Sequence, residues 1–195
     1  MPIQRFNSAL KKLQKLAKNP EIDIWTMDEV HFQQHGSRAR MWIPPEQRDP
    51  IVFHYPTRKS VGYYGAIRIR DGKFIWQQER NRFCGDSFLA FLKDLYRVAV
   101  RSGRKVILVA DNARYHHAKS INPWLRKVSK HLIIEFLPPY SPELNPTERI
   151  WKLARRKATH NCYFPSLDDL SLSVERVFDL WKRGNDTLRK LCAIY

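Results

Sequence analysis

Apolar side chains recur along this chain with two periods, and the switches between them mark its elements. In FNSALKKLQKLA (6–17), Phe6, Leu10, Leu13 and Ala17 share one helical face with lysines opposite, which predicts a basic amphipathic helix ended by Pro20. IDIWTMDEVHF (22–32) is β-branched and aromatic without Gly or Pro, and predicts a central strand. A second short strand is expected at 39–43, before Pro44 and Pro45. Residues 61–69 and 73–79 alternate around Asp71-Gly72, a strong hairpin signal. Asp86 is placed to cap a helix in which Phe88, Phe91, Leu92, Leu95 and Val98 follow helical spacing, with Gly103 closing it. KVILVAD (105–111) predicts a buried strand, followed by helix to about Ser129 with a restart at Asn122-Pro123. LIIEFL (132–137) is the next strand. A stiff loop with four prolines leads from it into a helix at Pro146, and Ser166 opens a last helix, to about 183, with Leu170, Val174, Val177, Phe178 and Trp181 facing inward.

Strands first and alternating α and β units afterwards define the fold class: an α/β protein with a mixed sheet, three antiparallel strands then alternating α and β, and helices on both faces. That order is the one found in the ribonuclease H-like fold. The expected organisation is a basic helix or linker at 1–20, a catalytic-type domain at 21–162 and a C-terminal helix packed on it at 163–195.

Charge changes the picture more than composition does. The 195 residues carry 35 Lys and Arg against 19 Asp and Glu, a net charge of +16. So basic a domain repels itself unless it meets an acidic partner, and nucleic acid is the expected one. Arg38, Arg40, Arg48, Arg58, Arg80, Arg114, Arg155 and Arg156 contribute to that surface. Cys84, Cys162 and Cys192 form no CxxC pair, so neither a disulfide frame nor a zinc site is expected, and the thiols suit a reducing, cytoplasmic setting. No apolar run is long enough to span a membrane, and no glycine-rich phosphate loop offers a nucleotide site. His31 and His35 have helical metal-ligand spacing, yet Gln33, Gln34 and Gly36 around them point to a strand entering a turn.

Three acids fall where an open α/β sheet collects its ligands, beyond the carboxyl ends of strands. Asp28 lies at the end of the first strand, and Asp111 closes KVILVAD. If those strands are neighbours, the two carboxylates face each other and call for a hard divalent cation, magnesium or manganese. Glu148 follows Asn145-Pro146 at the third helical position, where a capping-box acid belongs; it serves as cap, as ligand, or as both. Asp111 equally has a capping reading before the next helix.

Asp28-Glu29, then Asp111-Asn112-Ala113 with His116, then SPELNPTERIWK (141–152) together resemble DDE transposases of the mariner superfamily, in particular the bacterial insertion-sequence type. The resemblance covers roughly 22–160. It implies that Asp28, Asp111 and Glu148 are the catalytic, metal-binding triad, with residues 112–147 between the last two. It also implies two Mg2+ or Mn2+ ions, hydrolysis of DNA at the element's ends and strand transfer into target DNA. Asn112, His116 and Arg155 become candidates for supporting the acids or contacting DNA, and Trp42 resembles a tryptophan that follows the second strand. Pro45-Glu46 departs from the glycine common there. The family acts on DNA as a homodimer and carries helix-turn-helix modules ahead of its catalytic core. Here about 20 residues precede the first strand, so a separate or frameshift-fused helix-turn-helix part is expected. The rival readings are an inactive, domesticated DNA-binding remnant and a ribonuclease H-like nuclease without joining activity. Glu143, between prolines, is expected to be dispensable.

Overall fold

Five apolar stretches meet in one mixed sheet. A computed structural model describes residues 2–40, 42–44, 46, 51, 53, 56–138 and 145–193, with the side chains of 2–7 and 9 outside that description. Its strands are β1 (Ile22–Gln33), β2 (Ser60–Arg68), β3 (Phe74–Glu79), β4 (Lys105–Ala110) and β5 (Leu132–Phe136), in the spatial order β3-β2-β1-β4-β5. β1, β2 and β3 are antiparallel to one another, while β4 and β5 add in parallel on the other side of β1. The helices are α1 (Pro2–Ala17), α2 (Gly85–Ala99), α3 (Asn122–Val128), α4 (Thr147–Ala158), α5 (Leu167–Asp179) and α6 (Asp186–Leu191). This is the ribonuclease H-like order expected from the sequence.

Strand alternation sends successive β1 side chains to opposite layers. Trp25 and Met27 pack with Phe88, Phe91, Leu92 and Leu95 of α2 and with Val128 of α3. On the other face, Val30 and Phe32 join Ile150, Trp151 and Ala154 of α4 and Val174 and Phe178 of α5. Ile24 lies on that same face and meets Leu13 of α1 together with Ile107, Val109 and Leu137. The basic helix therefore docks its apolar stripe on the sheet, although Leu16 takes the inward place expected for Ala17, which is exposed.

Several local expectations need correction. No strand forms among the described residues of 39–43; Ser37 makes a single bridge to His160 instead, and Trp42 is fully exposed. β1 continues to Gln33 because β2 pairs along its second half, so Asp28 is mid-strand. Asp86 sits inside the first turn of α2, whose cap is Cys84, with its backbone N–H donating to Ser87 Oγ at 3.0 Å. After β4 the chain makes two short 3-10 turns, 114–117 and 119–121, before α3; Asn122 is already helical and Ile121 holds the cap position. Ser166 does cap α5 through Asp169 N, but that helix stops at Asp179 and Asn185 caps α6. Pro45, Arg48 and Glu143, and the side chain of Phe6, lie outside the described residues.

The hairpin end of the sheet is held by a buried charge. Asp23, fully buried, accepts from Arg70 Nε at 2.8 Å and Arg68 Nη1 at 3.3 Å, and Arg68 also bonds Asp71 in the turn. Gly72 completes that turn at φ +70°, and a Cβ there would stand 2.2 Å from Asn185 O at the start of α6. Replacing Asp23 leaves two guanidinium groups without their shared carboxylate at the sheet's edge. Asp23→Ala is expected to cost about 3 kcal/mol in chemical denaturation, whereas loss of the exposed Arg80–Asp168 pair is expected to leave the midpoint nearly unchanged.

Candidate active site

The parallel pairing of β1 with β4 ends at Thr26↔Val109, while its antiparallel pairing with β2 runs on to Gln33↔Ser60. Asp28 therefore lies just past the point where β4 runs out at Ala110 and hands the chain to Asp111. Asp28 and Asp111 lie within electrostatic reach of one another at the carboxyl end of β4, although β1 itself continues past it. Their charges act on one another: the Asp28 carboxyl is pushed up to about 7, first by burial, then by the neighbouring Glu29, with Asp111 adding to both.

The start of α4 is fastened to three consecutive residues of β1. Thr147 Oγ1 and Thr26 Oγ1 share a hydrogen bond at 2.8 Å, and both residues are fully buried. Asn145 Nδ2 donates to Met27 O at 3.0 Å. Trp151 Nε1 donates to Asp28 Oδ2 at 2.9 Å. Glu148 is half-buried in the first turn, three residues before Trp151 and so on the same helical face. The helix begins at Thr147, one residue later than expected. Asn145 still caps it, because its Oδ1 accepts from Thr147 N at 3.2 Å. The capping-box use of Glu148 is not realised: among the described residues its side chain makes no hydrogen bond, which leaves the carboxylate available to the site.

Room for the Trp151 ring comes from Gly65, the cross-strand partner of Asp28. A Cβ at Gly65 would lie 2.2 Å from the Trp151 ring and 2.8 Å from Phe74.

On the opposite face, Glu29 and Asp111 grip one imidazole. His116 Nε2 lies 2.9 Å from Glu29 Oε1, and Nδ1 lies 3.0 Å from Asp111 Oδ1 and 3.2 Å from Asp111 O. Its side chain is 1% exposed and packs at 4.2 Å on Phe88. Burial alone would depress its pKa, but the bonds to Asp111 and Glu29 outweigh that and raise it to about 9. In return His116 holds the half-exposed Asp111 below the usual carboxylate range. Glu29, Asp111 and His116 each offer an atom within 4.8 Å of the others, a spacing that suits a metal. With a proton on both nitrogens, however, the imidazolium has no lone pair to give and acts as the countercharge of the two acids.

The remaining candidates separate. Asn112 ties the loop to the end of β5, its Nδ2 donating to Leu137 O and its Oδ1 lying 3.3 Å from His117 Nε2. His117 is exposed, as expected, with its ring tilted against Phe136 at 4.2 Å. Arg155 is in the last turn of α4, two turns from Glu148, with its guanidinium over Phe32; it does not join the acids. His31 and His35 sit on a strand and a turn, the first against Phe83 and the second bonded to Gln33, so the helical metal spacing does not form.

Sequence reasoning passed over the parts that hold the acids. Glu29 stood in the open beside Asp28, but its role needs the 3-10 turn that brings His116 across the sheet. Gly65 was visible, with Gly62, as a glycine inside a strand pattern, a known mark of close approach. Thr26 and Thr147 carried no signal, since neither hydroxyl declares its partner.

A mixed sheet between two helical layers, in this strand order, defines a ribonuclease H-like core. The chain belongs to the DDE superfamily endonuclease family, whose model matches residues 23–171. It is 31% identical over 143 residues to the "Insertion element IS630 uncharacterized 39 kDa protein" of Shigella sonnei, covering 72% of this chain and 40% of that protein. Among solved structures it resembles the Mos1 mariner paired end complex with Mn, with 17% identity, TM-score 0.68, and coverage of 97% of this chain and 56% of the other. It also resembles the catalytic domain of Mos1 mariner transposase, with 17% identity, TM-score 0.58, and coverage of 97% and 87%. The chain spans half or less of the length of the curated relatives it matches.

Two outcomes test this geometry. Between the unfolded carboxyl pKa of 3.8 and about 7 the folded protein keeps a proton on Asp28 that the unfolded chain has released, so stability falls as pH rises through that window. Without metal, Asp28→Asn is expected to match wild type in unfolding free energy near pH 4 and to exceed it at pH 8, by at most about 4 kcal/mol, read by chemical denaturation. A difference independent of pH contradicts the buried-acid account. Gly65→Ala is expected to displace the Trp151 ring, read as a shifted tryptophan fluorescence maximum and a lowered Tm.

Proposed function

We propose that this chain is the catalytic core of a DNA transposase, cutting phosphodiester bonds at element ends and joining the freed ends to target DNA. The observation that carries this reading is the three-point attachment of α4 to β1, which sets the face bearing Glu148 beside Asp28, itself within electrostatic reach of Asp111. The Mos1 structures similar in fold are described in complex with a transposon end, and with Mn or Mg, which favours the same ligands here.

The donor set fits a divalent ion. Asp28, Asp111 and Glu148 offer only carboxylate oxygens, the choice of Mg2+ or Mn2+, and burial, then the neighbouring Glu29 and Asp111, raise the pKa of Asp28, a cost that a bound cation would offset. When bound, two such ions supply charge neutralisation and a water of lowered pKa for in-line attack. The chain's own residues do the positioning. Trp151 fixes one oxygen of Asp28, leaving the other to face the site. His116 holds Asp111 ionised and oriented while Glu29 balances the imidazolium. Asn145 and Thr147 set where Glu148 leaves the helix.

With a net charge of +16, the protein meets the phosphate backbone favourably and in a salt-dependent way. Residues 21–162 form the catalytic unit in this reading, with the first 20 residues leading into it and 163–195 buttressing α4. Paired DNA ends are held by a homodimer, and end recognition comes from a helix-turn-helix part.

Element-end DNA incubated with Mg2+ or Mn2+ is expected to be nicked by the wild type. Asp28→Asn, Asp111→Asn and Glu148→Gln are each expected to lose about 10²-fold or more of that rate, and Glu143→Gln to retain it. Equal nicking by the three triad variants refutes the assignment.

A further inference from the structure

Beyond the acids, one cavity of about 590 Å³ opens where β1 ends, lined by residues of the turn after β1 and of the second half of α4. Arg38 and His35 enter from the turn, Arg155 and the buried Thr159 from α4, and His31 from β1 itself. The described lining contains no acidic residue. Among the described residues neither Arg38 nor Arg155 is matched by a carboxylate, although Arg68, Arg70, Arg80, Arg97 and Arg189 all are. Arg155 is also pre-set: its guanidinium lies 5.5 Å over the Phe32 ring, which holds the plane in place and leaves its N–H edge to the cavity. Two guanidinium groups lining one cavity from separate elements, with no carboxylate in its described lining, form a receptor for a tetrahedral oxyanion, while the Thr159 hydroxyl is already donated to Arg155 O at 3.2 Å.

The position of the cavity says which oxyanion. α4 is continuous from Thr147 to Ala158, so Arg155 stands seven residues, or about 10 Å, along the axis from Glu148. A B-form strand advances about 3.4 Å per nucleotide, so that distance is about three nucleotides. Resting on the DNA-processing reading above, we propose that the Arg38–Arg155 cavity is a second phosphate site, taking a backbone phosphodiester about three nucleotides from the bond being cut. The site recognises the backbone and not the bases, and it fixes how far the DNA is threaded past the acids.

The test separates this site from the function it rests on. Binding of a fluorescently labelled mixed-sequence duplex is measured in EDTA across a salt series for wild type, Arg38→Ala, Arg155→Ala, Arg155→Lys and Lys93→Ala; Lys93 is exposed on α2, in the opposite helical layer. Each arginine-to-alanine change is expected to weaken binding several-fold and to lower the slope of log affinity against log salt by about 0.9, with Arg155→Lys keeping the slope but losing affinity. Lys93→Ala is expected to change neither. Arg38 is exposed, so Arg38→Ala decides the matter should Arg155→Ala lower the Tm. If Arg38→Ala leaves the slope at the wild-type value, or Lys93→Ala lowers it equally, the cavity is not a phosphate site. Metal-dependent nicking by the wild type then still stands. If the slopes fall as expected while the wild type nicks nothing, the phosphate site stands and the cleavage reading fails.

Discussion

Everything at the site depends on one helix start being held against one stretch of strand. A free helix N-terminus leaves several N–H groups seeking partners, and β1, past the end of its pairing with β4, leaves the Met27 carbonyl seeking a donor. Here Asn145 resolves both demands, since its Oδ1 takes Thr147 N while its Nδ2 reaches Met27 O. The neighbouring Thr26–Thr147 and Asp28–Trp151 bonds convert that junction from a hinge into a fixed joint. Pro146 contributes by restricting Asn145 to extended backbone before the helix begins.

That joint places negative charge where folding alone would not. Burial and two acidic neighbours act against ionised Asp28, and among the described residues its one side-chain donor is the Trp151 indole. Across the sheet the opposite arrangement holds, with Asp111 kept ionised by a buried imidazolium that Glu29 balances. Two acids a short distance apart thus differ in their readiness to carry charge, which is the usual condition for giving them different tasks. The stability lost on the Asp28 side is of the kind a bound cation returns.

Much of this was legible from residue patterns. Alternation and apolar runs located β1, the β2–β3 hairpin, β4 and β5, because those strands are half or wholly buried and their periods are undiluted. The helical period gave α2, and Ser166 marked α5. What failed were features set by distant partners. The described residues of 39–43 look like a strand but pair with none among the described residues, and 114–121 read as helix but close as 3-10 turns so that His116 can turn inward. The three acids announced themselves through their positions relative to strand ends and prolines. Glu29, Gly65 and Trp151 did not, since each acts only through contacts between segments more than thirty residues apart in the chain.

Asp28 and Glu29 are adjacent acids on a strand, and their side chains point to opposite layers. A slip of β1 by one residue would exchange them, presenting Glu29 to α4 and Asp28 to His116, and would also trade Ile24, Val30 and Phe32 on one face for Trp25 and Met27 on the other. Neither composition nor net charge distinguishes those two registers. The threonine pair, the asparagine bond and the indole bond do, because all three fit only one alignment. The junction therefore adds polar specificity to the hydrophobic pattern: it accepts one pairing of strand and helix and leaves the shifted alternative with unsatisfied polar groups.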